Sequence, residues 1–398
     1  MSRGICERMY LTKEEEKILR GESGQARQKA MELLVTLGDL ANAERLIEVK
    51  SAQIAGASYK TISDAGVEFL EEFAKEAKVI ENATLNPIGM DRDNWKQMRI
   101  RESFAKPQLR ILEAYAKMGV KMTCTCTPYF IGNRPAAGEH IAWAESSAVV
   151  FANSVLGART NKEGGPSALA AAILGKTPYS GLHIEENRQP TVLIKVAFEM
   201  TPDDYSLLGH SIGGRIGQKI PLITGIAPTE EEHKALGAAM AASGAASIYH
   251  FRKEHSECKE FKTIDERISI ERIDLEESRE KLNTATDEPD IVTIGCPHLS
   301  KNEMLDIARF LKNREPTRKC DAWFCVSRDI ANQCPEEVGI LKRFGQVACD
   351  TCMVVAPLED ISKTAATDSA KAGVYLPTLC KQKVMFASRK ELLGMISR

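Results

Sequence analysis

Twice in this chain a short apolar, β-branched segment runs straight into a turn that carries cysteine. Val120–Met122 leads into Thr123-Cys124-Thr125-Cys126-Thr127-Pro128-Tyr129, behind a helix-like run from Pro107 to Met118 that Gly119 ends. Ile291–Ile294 leads into Gly295-Cys296-Pro297-His298, ahead of a helix opened by the capping box Ser300…Glu303. Strand-like and helix-like segments that alternate in this way build α/β layers. Open α/β folds bind their ligands outside the carboxyl ends of strands. The two cysteine turns are therefore better placed for chemistry than for packing.

The same alternation runs along the rest of the sequence. Thr12 and Glu15 form a capping box that opens a first helix, and a second over Gln25–Leu37 is expected to stop at Gly38. Leu46–Val49 reads as a strand ahead of the small-residue turn Ala55-Gly56-Ala57-Ser58. Glu163-Gly164-Gly165-Pro166 precedes an Ala-rich helix, and Arg252–Asp290 reads as a charged excursion or a domain connection. At 398 residues the chain is too long for one small core. Three α/β regions are expected: 1–135 with the first cysteine turn, 136–289, and 290–398 with the later cysteines.

Composition narrows the classes of function. With 53 Lys+Arg against 55 Asp+Glu, the net charge of −2 gives no electrostatic case for nucleic acid or an anionic membrane. No apolar stretch has membrane-spanning length, and the first twenty residues lack a signal-peptide core. A soluble, cytoplasmic protein is expected. In a reducing cytosol eleven cysteines do not form a disulfide framework. They are buried small side chains, metal ligands or nucleophiles.

Taken singly, the cysteines leave those alternatives open. Cys349-x-x-Cys352 lacks the second pair of a structural zinc site, and Met353-Val354-Val355-Ala356-Pro357 after it looks like a strand, unlike a thioredoxin helix. Taken alone, Cys126 and Cys296 fit packing somewhat better than chemistry. Cys6, Cys258, Cys320, Cys325, Cys334 and Cys380 have no functional context and read as structural. Gly138 to Ala148 places Glu145, Ser146 and Ser147 within an apolar run, as either a satisfied buried helix or a pocket wall. Gly209-His210-Ser211-Ile212-Gly213-Gly214-Arg215-Ile216-Gly217 matches neither dinucleotide nor P-loop spacing and reads as a tight turn with an anion role. Its Gly-x-Ser-x-Gly letters lack the strand that a nucleophile elbow needs.

Together these segments resemble the aconitase X family. The resemblance rests on Thr125-Cys126-Thr127-Pro128-Tyr129, Gly138-Glu139-His140 through Glu145-Ser146-Ser147, and Ala152 through Asn161. Glu163 through Leu169, Gly295-Cys296-Pro297-His298, Asp350-Thr351-Cys352 and Tyr375-Leu376-Pro377 extend it along the chain. It implies an aconitase-like multi-domain core of the domain 1–3 type around an iron–sulfur cluster, and a hydro-lyase activity. Cys126, Cys296 and Cys352 map onto its cysteine triad, which leaves one iron of a [4Fe-4S] cluster open. Gly56, Ala57, Ser58, Asn86, Pro87, Glu145, Ser146 and Lys371 map onto substrate-binding positions, with Glu145 and Ser146 in catalytic roles. The chain ends at Arg398, soon after the cluster segments, and so resembles the branch whose swivelling fourth domain is a separate small subunit supplying a serine base. That branch implies dehydration of (R)-5-phosphomevalonate to trans-anhydromevalonate 5-phosphate in a modified mevalonate pathway, with Arg159 and Lys371 as cations for the phosphate. Two alternatives stay open: cis-3-hydroxy-L-proline as substrate, and a non-catalytic iron–sulfur module.

Overall fold

The computed structural model describes residues 9–252 and 264–398. Cys6 and Cys258 lie outside them. The N-terminal part contains β1 (Leu46–Glu48), β2 (Ala52–Ile54), β3 (Ala83–Leu85), β4 (Ala142–Trp143) and β5 (Lys176–Pro178). β1 and β5 pair antiparallel, while β3-β2-β4 form a parallel sheet. Next come β6 (Val192–Val196), β7 (Pro221–Thr224), β8 (His250–Arg252) and β9 (Glu266–Ile270), in a parallel sheet ordered β8-β7-β6-β9. The last part holds β10 (Ile291–Leu299), β11 (Asp321–Val326), β12 (Gln346–Cys349), β13 (Thr364–Thr367) and β14 (Lys383–Phe386). They form a parallel five-stranded sheet ordered β12-β11-β10-β13-β14. Its inner strands are buried on both faces, which is why Ala322–Val326 reads as an unbroken apolar run and Ile291–Ile294 is interrupted only by Thr293, whose hydroxyl donates to the Ala366 carbonyl at 3.2 Å.

The first and last sheets share one core. Ile54, Leu85, Ile88 and Met90 from the N-terminal part pack in a single cluster with Trp323, Cys325, Ala348 and Leu376. This continuity holds the two sets of carboxyl strand ends towards each other. A buried charge network adds a second tie. Lys234, on the helix Glu230–Gly244, pairs with Glu303 of the last part, and Glu303 Oε1 accepts Arg389 Nη1 at 3.1 Å. Arg389 Nε in turn donates to Asp368 at 2.7 Å.

That network has a measurable pH signature. Burial pushes the Glu303 carboxyl up, but Lys234 and Arg389 outweigh it and bring its pKa to about 2, from 4.5. A carboxyl depressed in the folded state contributes stability above its unfolded pKa, and that stability is lost as pH falls through the folded value. Urea midpoints should therefore decline between about pH 4.5 and pH 2 in the wild type. Glu303→Gln is expected to flatten that decline while lowering stability near neutrality.

Several elements depart from the sequence expectations. The Val120–Met122 strand does not form: Lys121 alone makes a bridge, to Thr84. The Thr123 hydroxyl enters the ladder instead, accepting Leu85 N–H at 3.2 Å, and Cys124 takes φ +43°. Met353 to Pro357 forms tight turns rather than a strand, with the Val355 and Ala356 amides both on the Cys352 carbonyl. The helix expected from Pro107 begins at Glu102, and the one expected to stop at Gly38 continues to Leu40. Gly38 serves close packing, since a Cβ there would stand 2.6 Å from Met9 Sδ. The Gly209–Gly217 turn is a helix, Asp204–Ile216. Its Gly209 and Gly213 let it touch the helix Glu230–Gly244, with Cβ positions 2.3 Å from the Leu236 carbonyl and 2.9 Å from that of Met240. Ser211 lies buried in mid-helix, which rules out the nucleophile elbow. Within Arg252–Asp290, residues 253–263 lie outside the described ones, and β9 and the helix Arg272–Leu282 belong to the second sheet's layer rather than to an excursion.

Candidate active site

One cleft of about 310 Å³ opens between the first and last sheets. It is built almost wholly from segments that leave the carboxyl ends of parallel strands. β2 delivers Ala55-Gly56-Ala57-Ser58, β3 delivers Asn86-Pro87, and β4 delivers Ala144-Glu145-Ser146. From the opposite sheet β12 leads to Cys352, β13 to Lys371, and the Gly295-Cys296 step lies within β10. Cys126, from the segment docked beside β3, completes the wall. The cleft thus gathers Cys126, Cys296, Cys352, Gly56, Ala57, Ser58, Asn86, Pro87, Glu145, Ser146 and Lys371. It does not include Arg159, which is held by Glu185 and the His183 carbonyl elsewhere.

Each segment is fixed by its backbone. The Gln108 side chain donates to the Ala57 carbonyl at 2.8 Å and accepts the Tyr59 amide at 3.1 Å, clamping the 55–58 turn. Gly165 lies against that turn, where a Cβ would meet the Ala55 carbonyl at 2.8 Å. Ser58 Oγ reaches across to the Val355 carbonyl at 2.8 Å. Ile88 and Cys352 are bound through the Ile88 amide to the Asp350 carbonyl and the Cys352 amide to the Ile88 carbonyl, each at 2.9 Å. Asp350, at φ +61°, is held by Arg328 at 2.6 Å. Gly295, at φ +103°, sits where a Cβ would be 2.2 Å from the Cys325 carbonyl, so only glycine allows this route to Cys296. The Cys349 amide donates instead to Asp91, and Cys349 packs in the core on the far face of the last sheet.

The polar centre is a buried ion pair between Lys371 and Glu145. Glu145 Oε2 also accepts Asn86 Nδ2 at 2.8 Å, and Oε1 accepts Ser147 Oγ at 3.0 Å. Burial alone would raise the Glu145 carboxyl. The Lys371 ammonium and these hydrogen bonds reverse that and hold it below the usual range. Burial would likewise lower the Lys371 pKa, but Glu145 with Cys296 and Cys126 drives it well above its ordinary value. Lys371 stands in the first turn of the helix Ala370–Cys380, whose partial positive charge adds to its own.

Burial pushes the thiols of Cys126 and Cys352 up, and that of Cys296 to about 12, with Lys371 opposing the shift at each. Such thiols ionise only when a bound cation draws the proton away. The His298 amide donates to Cys126 Sγ at 3.2 Å. Among the described residues, no three His, Cys, Asp or Glu side chains converge as a site for a single metal ion. Cys126, Cys296 and Cys352 reach the one cleft from three separate segments. Sequence reasoning assigned no role to His298, Thr61, Tyr375 or Leu379, all of which line the cleft. His298 and Tyr375 had a visible signal, since both stand in segments that carry the family resemblance, whereas Thr61 and Leu379 had none.

Comparison with known proteins agrees with this architecture. Family models for the aconitase X first, second and third domains match residues 8–186, 190–280 and 289–396. The phosphomevalonate dehydratase large subunit of Methanocaldococcus jannaschii is 51% identical, over 97% of this chain and 99% of that one. A cis-3-hydroxy-L-proline dehydratase of Hypocrea jecorina is 33% identical, over 93% of this chain and 65% of that one. The crystal structure of Thermococcus kodakaraensis aconitase X in its holo-form superposes with a TM-score of 0.89 at 43% identity, covering 98% of this chain and all of that one. Among the described residues no helix is long and apolar enough to cross a membrane. The relatives are dehydratases, and the chain belongs to the aconitase X family.

Proposed function

We propose that this chain is the large subunit of a hydro-lyase that converts (R)-5-phosphomevalonate to trans-anhydromevalonate 5-phosphate. In this reading Cys126, Cys296 and Cys352 hold a [4Fe-4S] cluster with one open iron. The observation that carries it is the meeting of three cysteine segments, from separate strand ends, in one cleft with the Lys371–Glu145 pair. When bound, such a cluster supplies a Lewis acid for the tertiary hydroxyl, so that hydroxide becomes a tolerable leaving group. The identity with the archaeal large subunits, against the lower identity with the hydroxyproline enzymes, supports the phosphorylated substrate.

The chain's own residues then bind and orient. The proton lost from C2 lies next to a carboxylate and is weakly acidic, so developing negative charge must be stabilised. The Lys371 ammonium provides that stabilisation. Glu145 stays ionised because both its oxygens accept hydrogen bonds. It therefore orients Lys371 and Asn86 instead of giving up a proton. Ser146 positions the substrate hydroxyl, the amides of Gly56–Ser58 offer N–H donors to the anion, and Asn86 and Pro87 flank them. The base that takes the C2 proton comes from the serine of a separate small subunit carrying the swivelling domain. The test is turnover by the anaerobically co-expressed pair. Dehydration of phosphomevalonate in preference to cis-3-hydroxy-L-proline is expected, and the reverse preference would move the chain to the other branch.

A further inference from the structure

All three cysteine segments meet at one side chain, that of His298. Its ring Nδ1 stands 3.0 Å from Thr125 Oγ1, next to Cys126, and its Nε2 stands 2.8 Å from the Thr351 carbonyl, next to Cys352. Its own backbone continues to Cys296, two residues back, and its amide donates to Cys126 Sγ at 3.2 Å. The Thr351 carbonyl fixes one ring hydrogen. A carbonyl only accepts, so Nε2 carries the hydrogen and donates to Thr351. Nδ1 pairs with the Thr125 hydroxyl, whose oxygen accepts the Thr127 amide at 3.2 Å. Both ring nitrogens are thus occupied, although His298 lines the cleft. It has no nitrogen left to serve as a proton carrier for substrate. From the other side Lys234 Nζ donates to the His298 carbonyl at 3.1 Å and joins this residue to the buried Lys234–Glu303 pair.

We infer that His298 is the positioning residue of the cysteine triad: a buried crosslink, with hydrogen on Nε2, that sets the spacing of Cys126, Cys296 and Cys352 before a cluster is bound. The inference rests on the cluster reading above. Three ligands drawn from three distant segments have no local sequence constraint to hold them in register. A buried group that bonds two segments and belongs to the third supplies it. Removing such support around a metal centre lowers metal affinity by about 10- to 100-fold.

The test measures iron retention, independently of turnover. Anaerobically prepared full chain is challenged with a ferrous chelator, and the decay of cluster absorbance is followed beside the thermal midpoint of the iron-free chain. His298→Ala is expected to lose its cluster about 10- to 100-fold faster than wild type. His298→Gln keeps an amide hydrogen for Thr351 and should fall between the two. Thr125→Val removes the Nδ1 partner at nearly constant volume and should also speed the loss. If His298→Ala fails to fold, Thr125→Val decides. Cluster retention at the wild-type rate in a folded variant overturns the inference. A wild-type chain that never takes up iron and sulfide instead overturns the cluster reading beneath it.

Discussion

Replacing Cys126, Cys296 or Cys352 by Ala is expected to abolish cluster binding and dehydration, while Cys320→Ala and Cys380→Ala leave both in place. The three cysteines line the cleft, whereas Cys320 lies just before β11, away from it. Cys380 is buried behind the wall, against Lys60 and the Val354 carbonyl. A four-iron cluster that already leaves one iron without a protein ligand would be tied to the chain by only two thiolates after such a change. Iron and acid-labile sulfide analysis of anaerobically purified variants provides the measurement. The pair Cys349 and Cys352 gives the sharpest internal control. Cys349 is committed to the far core and its amide to Asp91, so Cys349→Ala should retain the cluster. Loss of iron from Cys349→Ala with retention in Cys352→Ala would show that the wrong member of the pair was assigned.

Lys371→Ala is expected to reduce kcat/KM by about a hundredfold or more and to destabilise the chain. Lys371 and Glu145 are both largely buried, and deleting one partner leaves an uncompensated charge, at a cost of roughly 3–5 kcal/mol. The catalytic loss comes on top, since the ammonium is the chain's one cation lining the cleft among the described residues. The double variant Lys371→Met with Glu145→Gln separates the two effects. It removes both charges, so thermal stability should recover towards wild type while activity stays low. Recovery of activity along with stability would reduce Lys371 to a structural role.

How far the sequence could be read follows from how local each signal is. Capping boxes at Thr12–Glu15 and Ser300–Glu303 involve neighbours, and both form as expected. The strands that build one wall of the cleft, β2, β3 and β4, have three, three and two residues. Such lengths carry no measurable periodicity, so only the turns after them could be noticed. Gly209 and Gly213 resembled a phosphate loop because close helix packing and tight turns call for the same residue. Arg159 was paired with the substrate phosphate from its place in a motif, but nearness in sequence did not bring it to the cleft. Conversely, Lys371 and Glu145 are 226 residues apart and form the central ion pair. No pattern within either segment announces that contact. The resemblance to a family singled out both residues, and the fold explains why they belong together.

The central claim, a cluster with one iron reserved for substrate, is tested most directly by Mössbauer spectroscopy of the ⁵⁷Fe-loaded chain prepared anaerobically with the proposed small subunit. The account predicts about four irons and four sulfides per large chain, with one iron site shifting when (R)-5-phosphomevalonate is added and the others unchanged. A chain without iron and sulfide, or a cluster in which no iron responds to the substrate, would contradict it.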